Sequence, residues 1–217
     1  MFESLGWGFL SLHYGLLLVL CIFGMHRLSM VCRWYKYKDV RPDAPAELVS
    51  LPTVTIQIPI FNERNVAARI IEQTVKMDYP SELLQIQVVD DSTDDTYDLI
   101  AQKVAHYKEQ GVDIEHVHRV ERAGFKAGAL RDAMSTASGE FIAIFDADFL
   151  PPIDFLQKTI NHFANPKLAM LQTRWSHLNL ESNRLTRTQA LMLDSHFALE
   201  QQVRYGSGML FLSLIHI

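Results

Sequence analysis

Two carboxylates stand two residues apart in the stretch FIAIFDADF, at Asp146 and Asp148. They follow an apolar run that reads as a strand buried on both faces, and acids at such a strand end are costly to desolvate unless a cation or hydrogen-bond donors meet them. Hard divalent cations prefer oxygen ligands, so an Asp-x-Asp turn here suits a Mg2+ or Mn2+ that also holds a diphosphate. VVDDSTDDT is a second acidic strand end. Either Asp90 or Asp91 is free to accept hydrogen bonds from a base or ribose, while Ser92, Thr93 or Asp94 is expected as a helix N-cap with Asp95 in the first turn. In RAGFKAGALRDAM, Gly124 and Gly128 flank Lys126 at the start of a helix, where backbone amides and the helix dipole favour a phosphate. A solvated lysine is the competing reading, because the segment is neither a Walker A loop nor a GxGxxG fingerprint. The nine histidines show no HExxH-like spacing, and His106, His116 and His118 read as surface or strand-face residues rather than ligands.

These residues need a scaffold, and the chain supplies alternating periods. TVTIQIPIFN is a strand, followed by a helix from Glu63 to about Met77 with Val66, Ile70 and Val75 at helical spacing. LLQIQVVDD is a second strand and Thr93 to Gln110 a second helix; DIEHVHR is a third strand and Gly124 to Ser138 a third helix. FIAIFDADF makes the fourth strand, Asp154 to Phe163 the fourth helix, and LAMLQTRW a fifth strand. A longer helix from Asn183 to Arg204 has Leu185, Leu191, Phe197 and Leu199 among its apolar positions. This alternation predicts an α/β sandwich with a mainly parallel sheet, whose ligands bind outside the carboxyl ends of the strands. The acids fall at those ends.

The 217 residues are 48% hydrophobic with a formal charge of -5, which sets aside disordered and low-complexity classes and argues against a nucleic-acid protein that relies on a basic face. The apolar excess is concentrated between Leu5 and Met25, a run without formal charge and, at ~1.5 Å per residue, long enough for one hydrocarbon core. It lacks the basic start and small-residue cleavage site of a signal peptide. Arg27, Arg33, Lys36, Lys38 and Arg41 follow it, so the positive-inside rule places the rest of the chain in the cytosol, with Trp34, Tyr35 and Tyr37 at headgroup level. Both cysteines, Cys21 and Cys32, lie in or beside this segment, which removes disulfide scaffolds, cysteine-ligated zinc and cysteine nucleophiles from consideration.

QIPIFNE, VVDDST, GFKAGAL, FDADF and LQTRWSHLN, in this order, resemble family 2 inverting glycosyltransferases with a GT-A-type nucleotide-sugar-binding fold. The likeness is to membrane synthases of the cellulose-synthase-like and glucomannan β-1,4-mannosyltransferase kind, and it covers about Thr53 to Met209. The resemblance implies a donor site in which Asp90 and Asp91 contact base and ribose, with Ile58, Pro59, Asn62 and Glu63 lining the same pocket. Lys126 would meet the diphosphate, and Asp146 and Asp148 would hold sugar and metal. Gln172, Thr173 and Arg174, with Gln201 and Gln202, would lie on the acceptor side. The partners it implies are a membrane, a nucleotide sugar and a glycan or lipid acceptor. GDP-mannose is favoured as donor, with GDP-glucose and UDP-glucose as the other candidates. The membrane would be an inner, plasma or Golgi-type one.

The expected organisation is a transmembrane anchor and basic juxtamembrane segment at 1–38, a linker at 39–52 and the GT-A domain at 53–211. The last residues, LSLIHI from Leu212 to Ile217, resemble a translated sequencing adapter and are expected to be a non-native tail. The family's TED-like base and QxxRW-type motif are not found in the sequence, so the catalytic base is expected beyond a truncated C-terminus. Asp194 and Glu200 read as structural acids. Transfer to a growing β-linked polysaccharide, a β-mannan, glucomannan or glucan, is the leading expectation. The alternatives are single transfer to ceramide or a polyprenyl phosphate, and a membrane-anchored nucleotide-binding protein without activity. A haloacid-dehalogenase-type phosphatase fits less well, because its DxD should open the domain and here three strands precede it.

Overall fold

The computed structural model describes residues 2–41 and 45–209; the expected tail at 212–217 lies outside the described residues. Residues 45–171 make one compact unit, and residues 2–41 with 172–209 make another.

In the first unit, β1 (Val54–Ile60), β2 (Leu84–Asp90), β3 (Ile114–His118) and β4 (Phe141–Ile144) form a wholly parallel sheet in the order β3-β2-β1-β4. The connections are α2 (Arg64–Val75), α3 (Thr96–Glu109) and α4 (Phe125–Ala133), and α5 (Phe155–Thr159) follows β4. Period-two alternation in β1 and β2 divides their side chains between two faces. Ile56, Ile58, Ile60, Ile86 and Val88 face the main core, with Ala67, Ile70 and Ile71 of α2 and Ile100 and Val104 of α3. The other face lies under α4, where Val89 packs on Ala129 and Ala133. Its polar members are buried too, and they satisfy one another. Gln57 donates to Gln87 Oε1 at 2.9 Å, and Gln87 donates to Ala133 O at 3.1 Å and Thr136 Oγ1 at 2.8 Å.

Proline inside a central strand would normally cost a ladder bond. Ile60 O accepts from Asp91 N and Gln57 O accepts from Phe145 N, so alternate β1 residues face β2 and β4. Pro59 therefore turns its missing N–H toward the β4 side, past the last pair, Gln57 with Ile144. The strand end is free to form a site there.

Three expectations are corrected. The described residues hold four strands; LAMLQTRW is irregular, with Met170 exposed, since no neighbouring strand pairs with it. β4 stops at Ile144 rather than Phe149 and forms the sheet edge, so it is not buried on both faces: Ile144 is 49% exposed. Helix α3 starts at Thr96, not Thr93; Asp98 occupies its first turn, and Asp94 Oδ1 accepts from Thr96 N at 3.0 Å.

In the second unit, α1 runs from Phe2 to Tyr37, and its stretch from Gly6 is long and apolar enough to cross a membrane, with its most apolar part exposed. The C-terminal helix is α6 (Arg184–Ser195), a π-helical segment (His196–Gln201) and α7 (Gln202–Gly206). Its packed positions are Thr186, Ala190 and Val203, while two of its apolar residues, Leu185 and Leu191, are exposed. Glu200 pairs with Arg27 and accepts from His196 Nδ1, while Trp34 Nε1 donates to Ala198 O at 2.9 Å. Gly206 lies so close to α1 that a Cβ there would sit 2.7 Å from Tyr37 Cβ.

Candidate functional site

A cavity of about 850 Å³ opens at the carboxyl ends of β1, β2 and β4, the location that open parallel sheets provide for ligands. Its walls include Pro59, Asn62 and Glu63 from the end of β1, Asp91 after β2, Lys126 of α4, and Asp146 and Asp148 after β4.

The two aspartates after β4 are presented by alternation with buried neighbours. Phe145 and Ala147 point into the core, and Phe149 N donates to Asp146 O at 3.0 Å, closing the turn. Helix α2 braces this turn from outside: Arg69 donates to Asp148 O at 3.2 Å and Gln73 to Pro151 O at 2.6 Å. Asp146 thus stays half open to the cavity, and Asp148 is exposed. Partial loss of hydration, then the charges of Asp148 and Asp146, push the Glu63 carboxyl above its ordinary pKa, with Lys126 opposing. The three carboxylates therefore repel one another, and a cation between them would relieve that. Their all-oxygen donor set fits Mg2+ or Mn2+.

Lys126 ion-pairs with Asp146, so it is not a solvated surface lysine. Its position depends on the two glycines. Gly124 has φ 71°, in the left-handed region that glycine tolerates. A Cβ on Gly128 would fall 2.0 Å from Ala123 O, so the first turn of α4 can fold tightly against its own approach loop only with glycine there.

At the end of β2 the two acids part company. Asp90 follows Val88 onto the α2–α3 face and does not line the cavity. Its Oδ1 accepts from Ser92 N at 2.8 Å, and His116 Nε2 stands 2.9 Å from Oδ2. Burial pushes the Asp90 carboxyl up, but the hydrogen bonds from His116 and Ser92 outweigh it and hold the group below its ordinary range. Asp90, expected at base or ribose, is thus placed off the cavity wall, with its oxygens within hydrogen-bond distance of Ser92 N and His116 Nε2. Asp91 does reach the cavity wall, gripped by Arg119 through Nε at 2.8 Å and Nη2 at 2.7 Å. Ser92 and Thr93 do not cap α3. Ser92 Oγ accepts from Asn62 N, and Thr93 N donates to Asn62 Oδ1 at 2.8 Å, which fixes Asn62 at a left-handed φ of 54°.

Arg119 escaped the sequence reading. It also donates to Asp132 at 2.8 Å, Ala123 O at 3.2 Å and Phe125 O at 3.1 Å, tying β2 to the start of α4. The Asp91 hydrogen bond raises its already high pKa further. Its signal was positional: an arginine directly after β3, beside an acidic end of β2. Phe61 and Arg122 were missed as well; the Arg122 guanidinium carbon lies over the Phe61 ring, 3.4 Å from its centroid, in the cavity wall.

The residues expected on the acceptor side belong to the helical unit. Gln172 and Thr173 lie in its irregular approach, Arg174 ion-pairs with Asp194, and Gln201 contacts His196 at 3.3 Å. Gln202 donates to Tyr37 O at 2.9 Å and Val40 O at 2.6 Å, capping the end of α1.

Comparison with known proteins gives a consistent picture. The family model for glycosyl transferase family 2 matches residues 55–212. Glucomannan 4-beta-mannosyltransferase 9 of Arabidopsis thaliana is 41% identical over 174 residues, 78% of this chain and 33% of that protein. Glucomannan 4-beta-mannosyltransferase 7 of the same plant is 39% identical over 176 residues, 79% of this chain and 32% of that protein. The chain thus spans about a third of the length of these curated relatives. Among solved structures, mannosyltransferase PcManGT from Pyrobaculum calidifontis, in complex with GDP-Man and Mn2+, superposes with a TM-score of 0.58 at 30% identity, covering 67% of this chain and 42% of that one. The α/β unit has a GT-A-like fold.

Proposed function

This chain belongs to glycosyl transferase family 2, and we propose that it binds a nucleotide sugar and serves hexosyl transfer, with inversion, to a growing β-linked polysaccharide of the mannan or glucomannan type. The observation that carries the reading is the cavity in which Glu63, Asp146 and Asp148 converge beside Lys126 at the carboxyl end of a parallel sheet. Likeness to mannosyltransferases, one of them in complex with GDP-Man and Mn2+, favours GDP-mannose as the donor. GDP-glucose and UDP-glucose are the donors against which that preference is measured.

Asp146 and Asp148 would hold a Mg2+ or Mn2+, which when bound neutralises charge on the departing nucleoside diphosphate. Lys126 is already poised there, and on exchanging Asp146 for the diphosphate it would add a second positive charge at the leaving group. The backbone after Pro59, with Asn62 braced by Ser92 and Thr93, shapes the nucleotide side. Asp91 would meet base or ribose at its outer edge while Arg119 holds it in place. Gln172, Thr173, Arg174, Gln201 and Gln202 are proposed on the acceptor side. In the whole protein the apolar part of α1 would anchor the catalytic unit on the cytosolic side of the membrane.

Titration calorimetry of the detergent-solubilised chain with GDP-mannose, GDP-glucose and UDP-glucose, with and without Mn2+, tests this. Metal-dependent binding of GDP-mannose that disappears in the Asp146→Asn, Asp148→Asn variant is expected. Absence of any nucleotide-sugar binding by the folded parent chain would remove the reading.

A further inference from the structure

On β3 the sequence places His116 and His118 two residues apart, so their rings leave the same face of the sheet. Strand register sets Asp90 of β2 directly beside His118, and Val88 beside His116. That face is opposite the one where Val89 packs under α4, so this cluster is separate from the donor cavity. The Asp90 carboxylate is fully buried, and its Oδ2 lies 2.9 Å from His116 Nε2 and 3.3 Å from His118 Nδ1. Its other oxygen is held by Ser92 N at 2.8 Å, which orients the carboxylate and leaves Oδ2 for the imidazoles. Tyr97 from α3 covers both rings, with centroid separations of 5.0 and 4.7 Å.

We propose that Asp90, His116 and His118 form a binding site for a borderline divalent transition metal of the zinc class, separate from the Asp146/Asp148 group. The three donor atoms lie within 4.8 Å of one another. The separations of 2.9 and 3.3 Å are close to the ~3.3 Å edge of a tetrahedron built on metal–ligand bonds of ~2.0–2.1 Å, so small adjustments admit an ion. Two imidazoles and one carboxylate select zinc over the hard cations that suit an all-oxygen set. The His118 side chain is 30% exposed, which gives the ion a route in and leaves a fourth position to water. Bound there, the metal would cross-link β2 to β3 immediately behind Asp91 and Ser92, and thereby stiffen the strand end that forms the cavity wall.

The simpler arrangement, two histidines donating hydrogen bonds to one carboxylate, has the same contacts without an ion, so the test replaces ligation while keeping those bonds. The Asn amide nitrogen falls where His Nδ1 stands and the Gln amide nitrogen where Nε2 stands, so His118→Asn with His116→Gln preserves donors and removes both imidazoles. The full chain, purified in detergent and stripped of metal, is titrated with Zn2+ alone, and with Co2+ followed by visible absorption. One equivalent of Zn2+ bound in the parent and retained in the Asp146→Asn, Asp148→Asn variant is expected. Co2+ should give visible d–d bands of low-symmetry four-coordinate type. Both signals should weaken by at least about tenfold in His116→Gln, His118→Asn, the scale on which even outer-shell changes register. If that double variant does not fold, His118→Asn alone decides by the same readouts. No Zn2+ bound to the Asp146→Asn, Asp148→Asn chain, or Zn2+ binding unchanged by the histidine substitutions, overturns the proposal.

Discussion

At the end of β2, Asp90 and Asp91 are almost wholly out of water and both are met by protein groups: Ser92 N and two imidazoles for Asp90, a bidentate Arg119 for Asp91. After β4, Asp146 and Asp148 stay open to the cavity, Lys126 pairs with the first of them, and both push the Glu63 carboxyl up. The two acidic strand ends look alike in sequence. One is finished by the fold and the other is left with repulsion, which is the state a site for a cation and a diphosphate requires. Charge balance within the protein therefore separates acids whose oxygens the fold already holds from acids it leaves open to the cavity.

Breaking the first half of that comparison should have the largest effect on stability. The Arg119 and Asp91 side chains are 9% and 4% exposed, so Arg119→Ala takes both hydrogen bonds from a buried carboxylate, leaving it only Arg122 at 3.7 Å, and also frees Ala123 O, Phe125 O and Asp132. A loss of about 3–5 kcal/mol is expected in denaturant unfolding of the α/β unit. A loss below about 1 kcal/mol would mean that Asp91 is as solvated as the acids after β4.

Gly128→Ala comes next. The added Cβ meets backbone, Ala123 O at 2.0 Å, so the approach loop of α4 must shift. About 1–3 kcal/mol of destabilisation is expected, with weaker nucleotide-sugar binding because Lys126 moves with that turn. Parent-like binding in a destabilised variant would show that the Lys126–Asp146 pair tolerates the shift. Asp146→Asn with Asp148→Asn should be the reverse case: unfolding free energy within about 0.5 kcal/mol of the parent, and metal-dependent donor binding abolished. A large stability loss there would place these aspartates among the structural acids and erase the contrast.

How much of this was legible in the sequence follows from which interactions are local. The β1 and β2 strands, the helices after them and the acids at their ends were readable because period-two alternation and strand-end chemistry are properties of short stretches. The polar half of that alternation is a different matter: Gln57 and Gln87 are buried under α4 rather than solvated, which depends on each other's amides and on Thr136 far along the chain. The caps of α3 misled for the same reason. Ser92 and Thr93 are good N-cap residues, but Asn62, just past β1, takes up their hydroxyl oxygens, so the helix begins later. LAMLQTRW has strand composition yet joins no sheet among the described residues, and a strand exists only with a partner strand. Asp90 and Asp91 could not be told apart from spacing, because the answer rests on His116, His118 and Arg119 from another strand.

The smallest expected effect sets the lower end of the scale. Glu72 of α2 and Lys103 of α3 form a cation–carboxylate pair like Arg119 with Asp91, but their side chains are 39% and 31% exposed. The Lys103 hydrogen bond holds the Glu72 carboxyl below its ordinary pKa, and Glu72 in turn holds Lys103 above its own. With the folded glutamate depressed, the pair's contribution is present above the ordinary glutamate pKa and is lost as pH falls through the lower folded value. With the folded lysine raised, it is lost again as pH rises through the higher lysine value. Solvent screening limits it to at most about 1 kcal/mol, so Glu72→Gln should cost a few tenths of that scale near neutral pH. Molar salt should remove most of this difference, and acidification below the glutamate range should remove it entirely. The Arg119→Ala deficit, in contrast, should persist in salt, since the pair is shielded from the solution ions. Equal salt sensitivity of the two variants would show that water reaches Asp91 as freely as it reaches Glu72, and the distinction between acids held by the fold and acids left open at this sheet end would fail.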